Sequence, residues 1–336
     1  MRYKQSLGAF CFVAVKGEKG AMDNTIRVKM LERPTKSVDV VFDSDTYNEI
    51  DDQYALAYLV KSNKELNIKA IYAAPFYLGQ LPPDFYKNRK FKSDSPGDGM
   101  EKSYREIMNI LTLLDAEEYK HLVHYGSTRY LTSEKEPVIS QASEDLAKRA
   151  MDYSSDNPLY VIAIGAITNI ASALLLNPEI KERMVVVWLG GHSHEWPNTL
   201  EFNMAQDIAA ARVVFGCGVP LVQLPCKGVV SAFTLSAPEL DCWMLGKNKL
   251  CDYLVGKTKE YAKERGLPIF WKKPIWDVTA VAWLINERFM EDRFTPTPIP
   301  TYDYHYAVDK SHPLMKYVYH INSELIIEDM IEKLTS

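Results

Sequence analysis

The chain has 336 residues, 47% of them apolar and 11% aromatic, which is enough to build one sizeable α/β core and too apolar for a disordered chain. Thirty-nine Lys and Arg against 44 Asp and Glu give a formal charge of -5, and no basic run interleaved with aromatics occurs, so nucleic acid is not an expected partner. The five cysteines, Cys11, Cys217, Cys226, Cys242 and Cys251, are odd in number and contain no Cys-x-x-Cys pair. That pattern argues against a disulfide framework or a zinc site and fits a reducing, cytoplasmic setting.

In chain order, Arg2 and Lys4 before an apolar stretch at 7–15 faintly resemble a short signal peptide, but Lys16, Glu18 and Lys19 follow without a small-x-small cleavage site. Residues 1–36 are expected to form an irregular extension, with Met22 or Met30 available as an internal start, ahead of a single domain over 37–336. No stretch approaches the roughly 20 apolar residues of a membrane span. Strand-length apolar runs at 38–42, 68–73, 122–125, 159–164, 184–189 and 220–224 alternate with helical patterns at 51–62, 103–114, 142–153, 167–176 and 207–216. This alternation predicts an open, mainly parallel sheet with helices on both faces, a Rossmann-like core. The final third predicts helices at 250–265, 277–286 and 324–334, with strands at 302–308 and 317–321. The segment 80–99, rich in Pro, Lys and Asp, is expected to be a long loop, either a solvated insertion or a substrate lid.

At the end of the first strand Asp43, Asp45, Glu49, Asp51 and Asp52 fall within ten residues. Their mutual repulsion calls for a positive charge among them, and a hard cation is the economical answer. Ligands of open α/β sheets bind beyond the carboxyl ends of the strands, where this knot lies. Further along, the strand ending at Ile164 turns through Gly165 into a helix. Gly190-Gly191 precedes the run from Glu195 to Asn203, and Trp276-Asp277 opens a late helix. Taken singly, Asp43 reads as a structural acceptor, Asp51, Asp52 and Asp277 as helix N-terminal carboxylates, and Lys272-Lys273 as a solvated pair. His192 and His194 read as satisfied or solvated rather than as general acids.

Together these segments resemble the inosine-uridine-preferring, calcium-dependent nucleoside hydrolases, over about residues 38–335 and in the family's order. The family's Asp-x-Asp and Asp-Asp correspond to Asp43-Ser44-Asp45 and Asp51-Asp52. The loop between them, Thr46-Tyr47-Asn48-Glu49-Ile50, is longer than the family's and lacks its Pro-Gly. The Asn-Glu-Ile-Asp-Asp form is similar to that of a divergent branch, and a family Asn expected after the second strand is replaced within Ala74-Pro75-Phe76. The resemblance implies the nucleoside hydrolase fold and cleavage of the N-glycosidic bond of purine ribonucleosides or related N-ribosides by a water held on Ca2+. It makes Asp45, Asp52, the Ile164 carbonyl and Asp277 the metal ligands, with Asp45 also the catalytic base. Asp51, Glu201 and Asn203, assisted by Asn198, would hold the sugar. Trp276 stands where many members carry His, as in the purine-preferring branch, and stacking there is thought to help the base accept a proton. Tyr47, Phe76, Tyr77 and Trp196 are candidates to complete an aromatic cage. The expected partner is a small nucleoside, with no membrane and no nucleic acid, and the expected state a homo-oligomer, dimer or tetramer. Two other readings stay open: a non-catalytic nucleoside- or sugar-binding protein that keeps the calcium cup, and a haloacid-dehalogenase-like phosphatase using Asp43-x-Asp45.

Overall fold

The computed structural model describes residues 22–86 and 90–336. The signal-like pattern at 2–19 lies outside the described residues. Within the expected irregular extension, Asn24–Met30 form helix α1, whose Asp23 cap accepts the Thr25 amide. The strands are β1 (Val38–Ser44), β2 (Leu66–Ala73), β3 (Val123–Tyr125), β4 (Leu159–Ala163), β5 (Met184–Leu189), β6 (Leu221–Leu224), β7 (Thr234–Ser236), β8 (Lys272–Pro274), β9 (Met290–Pro296), β10 (Ile299–Pro300), β11 (Tyr306–Ala307) and β12 (Leu314–Ile321). The other helices are α2 (Asp51–Lys61), α3 (Pro83–Tyr86), α4 (Pro96–Leu113), α5 (Gln141–Arg149), α6 (Thr168–Leu176), α7 (Phe202–Gln206), α8 (Ile208–Gly216), α9 (Ala237–Trp243), α10 (Lys249–Glu264), α11 (Val278–Ala282) and α12 (Ser323–Thr335).

Eight strands form one sheet in the order β3-β2-β1-β4-β5-β6-β12-β9, parallel throughout except for the last pair. The expected mainly parallel α/β architecture is therefore the one observed. Central strands are apolar on both sides because each side is covered. In β1, Val40 and Phe42 enter the core shared with α2, α4, α10, α11 and α12, whereas Val41 enters the core shared with α5, α6 and α8. The chain runs outward from β1 through α2 to β2 and through α4 to β3, then recrosses through α5 to β4 on the other side of β1. The topological switch point thus lies between β1 and β4, and the cleft at their carboxyl ends is where such folds bind ligands.

The last third departs from expectation in two places. β9 pairs antiparallel with β12 at the sheet edge although Glu291, Asp292 and Arg293 give it no apolar run, since an edge strand has a face to spare for polar side chains. The alternating aromatics of 302–308 suggested a strand, but Tyr304 adopts φ 62° in a turn and only Tyr306–Ala307 pair, with β10. Helix α4 begins at Pro96, inside the expected long loop, because Ser95 caps it by accepting the Asp98 amide and proline suits the first turn.

Candidate active site

Asp45 follows β1 directly and is buried, and the loop after it folds back so that the Asn48 amide donates to the Asp45 carbonyl at 2.8 Å. Asp51 and Asp52 begin α2, favoured there by the helix dipole, and Ser44 Oγ donates to Asp52 Oδ1 at 2.8 Å. Asp277 precedes α11, which packs against α2. This crossing brings oxygens of Asp51, Asp52 and Asp277 within 4.8 Å of one another, all buried. Glycine at 165 lets β4 close on this group, because a Cβ there would stand 2.9 Å from Asp45 Oδ1 and 3.2 Å from the Asp45 amide. Ile164 lines the same cleft, and its carbonyl accepts Asn203 Nδ2 at 2.9 Å.

Burial first, and the neighbouring carboxylates second, hold the acids toward protonation. Asp52 is pushed up to about 8, and Asp45 and Asp277 are also raised well above the usual carboxylate range. Asp45 Oδ2 is buried without a hydrogen-bond partner. An orphaned carboxylate oxygen among further carboxylates and a main-chain carbonyl is the hard-oxygen donor set that calcium takes. The residues present therefore fit such an ion. Asp43 stands apart: its Oδ1 accepts Asn169 Nδ2 at 2.7 Å, and it does not line the cleft. Burial, opposed by that bond, raises Asp43 to about 7. A phosphatase nucleophile at Asp43 would have no access to substrate.

The cleft, about 670 Å³ with its open mouth, is lined by Asp45, Glu49, Asp51, Asp52, Ile164, Glu201, Asn203, Trp276 and Asp277, among others. Glu201 caps α7: Oε1 accepts the Asn203 amide at 2.9 Å, and Oε2 accepts the amides of Gly191 at 2.9 Å and Met204 at 3.0 Å. Burial raises its carboxyl against these bonds. Asn203 Nδ2 also donates to the Leu189 carbonyl at 3.0 Å, so β4 and β5 both fix it. Asn198 accepts the Leu200 amide at 3.0 Å and shapes the loop before Glu201, but it is not among the residues lining the cleft.

Trp276 is half-buried in the wall, and its Nε1 donates to Ser231 Oγ at 3.0 Å. The aromatic neighbours differ from those expected. Tyr47 and Trp196 are exposed and Phe76 is buried in the fold, while Phe85 and Phe202, stacked with centroids 6.1 Å apart, line the cleft. Phe85 belongs to the expected loop segment, and Lys92 of the same segment donates to the Asn48 carbonyl at 2.7 Å. His192 lines the cleft, but burial and then the Lys227 charge depress it to about 4, so it is a neutral acceptor near pH 7. His194 lies off the cleft, with Nε2 against Gln223 Oε1 at 3.0 Å.

Lys273 corrects the sequence reading most. Lys272 is exposed, as expected of a solvated pair, but Lys273 is buried at 1% exposure, with its Nζ 2.8 Å from Asp51 Oδ1 and 2.9 Å from Glu49 Oε2. Burial opposes its charge, yet Asp51 and Glu49 prevail and hold the ammonium above its ordinary value. The signal that could have found it is the period-two alternation of β8, which turns successive residues to opposite sides. Part of the positive charge demanded by the acidic knot is therefore supplied by the protein.

The sequence profile of the inosine-uridine preferring nucleoside hydrolases matches residues 97–323. Among curated relatives, a putative pyrimidine-specific ribonucleoside hydrolase RihB of Shigella dysenteriae is 29% identical over 185 residues, 52% of this chain and 63% of the relative. A pyrimidine-specific ribonucleoside hydrolase RihB of Escherichia coli is 36% identical over 162 residues, 45% of this chain and 50% of the relative. The chain thus spans about half to three-fifths of the length of these relatives. Among solved structures, the purine-preferring ribonucleoside hydrolase from Gardnerella vaginalis superposes with a TM-score of 0.69 at 19% identity, covering 88% of this chain and 98% of that one. The inosine-uridine preferring nucleoside hydrolase from Bacillus anthracis does so with 0.60 at 15% identity, covering 89% and 99%. These likenesses carry the fold, and the profile, which takes in the Glu201 segment and Trp276-Asp277, carries the family: the chain belongs to the inosine-uridine preferring nucleoside hydrolases.

Proposed function

We propose that the protein hydrolyses the N-glycosidic bond of ribonucleosides, with a preference for purine bases, and holds one calcium ion on Asp45, Asp52, the Ile164 carbonyl and Asp277. The observation that carries the reading is a single cleft at the β1/β4 switch point, lined by Asp45 with its unpartnered Oδ2 and by Ile164, in which oxygens of Asp52 and Asp277 lie within 4.8 Å of each other and of Asp51. When bound, calcium supplies a Lewis acid that makes a water easier to deprotonate and orders sugar hydroxyls. Asp45 takes the proton of the attacking water as its oxygen bonds to the anomeric carbon. The bond from that carbon to the base nitrogen breaks, and its electron pair leaves with the base. Asp51 and Asn203 accept or donate to the ribose hydroxyls, and Glu201 meets the 5′ side. These buried carboxylates stabilise the positive charge that develops on the sugar. Trp276 meets the base. The four cysteines among the described residues are free thiols, which supports a reducing, cytoplasmic site of action, and a homo-oligomer is the expected assembly.

The lengthened Glu49 loop and the missing Asn after β2 favour, as a second reading, a nucleoside- or sugar-binding protein without turnover. A panel of purine and pyrimidine nucleosides assayed for reducing-sugar release, with calcium and after chelation, separates the two. Calcium-dependent release from purine nucleosides is expected. Binding without release of sugar from any nucleoside overturns the hydrolase reading.

A further inference from the structure

Lys273 reaches the acidic knot from β8, 222 positions along the chain from Asp51. Beyond its contacts with Asp51 and Glu49, its Nζ donates to the Pro274 carbonyl at 2.9 Å and lies 4.1 Å from the ring centroid of Trp276 and 5.1 Å from that of Tyr261. Arg265 pairs with Glu49 at 3.5 Å. Neither Lys273 nor Arg265 lines the cleft, so the ammonium acts on substrate only through the groups it holds.

Resting on the nucleoside hydrolase reading above, we propose that Lys273 is a positioning residue that withdraws Asp51 from the metal's ligand set and reserves its second oxygen for a sugar hydroxyl. The distances alone leave Asp51, Asp52 and Asp277 equally able to hold a cation. What separates them is the counter-charge: Asp51 Oδ1 carries a fixed ammonium, whereas Asp52 meets the Ser44 hydroxyl and the Asp277 carboxyl, neither of them a cation. A carboxylate already neutralised attracts a further cation less, and both charges here are removed from solvent. Glu49 holds the ammonium in place from the loop that joins β1 to α2. The β1–α2 loop and the buried lysine thus act together on Asp51.

The test is calorimetric titration of calcium into the full chain, as wild type, Asp51→Asn, Asp52→Asn and Lys273→Met, with KM for a nucleoside measured alongside. Asp51→Asn is expected to change calcium affinity by less than about ten-fold while raising KM, and Asp52→Asn to weaken calcium by about a hundred-fold. Lys273→Met is expected to tighten calcium by about ten-fold, as the freed Asp51 joins the ion, and to raise KM. Tighter metal together with weaker substrate is the signature, since a merely structural lysine would weaken both on removal. Weakening of both, or no change in either, overturns the proposal. If Lys273→Met does not fold, the two aspartate variants decide: equal calcium losses in Asp51→Asn and Asp52→Asn overturn it. Wild type that neither binds calcium nor releases sugar removes the hydrolase reading and this inference with it, whereas wild type that does both, with equal losses in the two variants, removes this inference alone.

Discussion

Asp45 and Asp277 are both buried acids with raised pKa values in one cleft, yet they are expected to fail differently when replaced. Asp45→Asn keeps an oxygen for the ion but loses the group that takes the proton, so it should retain calcium by metal analysis while turnover falls about 10²–10⁴-fold. Turnover equal to wild type would remove its role as base. Trp276 changes meaning once its neighbour is known. With the Lys273 ammonium 4.1 Å from the ring centroid, the indole is already committed to one cation, and stacking against a protonated leaving base is electrostatically opposed. Stacking on the neutral base of the bound nucleoside remains, and such contacts are worth about 1–3 kcal/mol. Trp276→Ala should therefore raise KM for purine nucleosides about ten-fold or more and change kcat less. A loss confined to kcat would show that the ring acts on the leaving group instead. Asp45, Asp52 and Asp277 stood out in sequence only in company, since each alone reads as a strand-end or helix N-terminal carboxylate, and the fold brings all three to one cleft. Lys273 was not, because two adjacent lysines read as surface until a strand turns one of them inward.

At the level of elements, the parallel strands were legible because continuous Val, Ile and Leu runs flanked by helical periodicity have few other interpretations. The short pieces of the last third were not, since β7, β8, β10 and β11 have two or three residues each and too little pattern to read. The turn after β4 shows how an element fixes chemistry. Gly165, just after β4, leaves no room for a Cβ beside Asp45, and Gly165→Ala would force Asp45 or the backbone of the strand end to move. The Asp45 carboxylate, the more mobile of the two, is expected to yield. The variant should then unfold within a few degrees of wild type, at a cost of about 1–3 kcal/mol, while kcat falls by more than ten-fold. Full activity would show that Asp45 tolerates displacement. Glu201, expected as a sugar contact, also caps α7, so a single side chain ties the sugar side of the cleft to the helix that presents Asn203.

For the whole molecule, the site is assembled from β1, the turn after β4, the loop before α7 and the entry to α11, so an ion bound there would cross-link both halves of the sheet. Chelation should therefore lower the melting temperature, because anything that binds only the folded state stabilises it. Thermal scans before and after chelation, with calcium added back, check this, and an unchanged midpoint in all three would remove the ion from the fold. Among the described residues no helix is long and apolar enough to cross a membrane.

The long reach of Lys273 bears on how the chain is made. The residues from Asp43 to Asp52 leave the ribosome long before their ammonium partner is synthesised, and a 222-position contact closes late because its loop entropy is lost before any contact rewards it. Until the last third docks, Asp51 stands without the Lys273 ammonium, and Lys92 is the cation beside the acidic loop. A chain ending before Lys273 would lack that ammonium altogether, so the charge balance of the first helix is written into residues near the far end of the sequence.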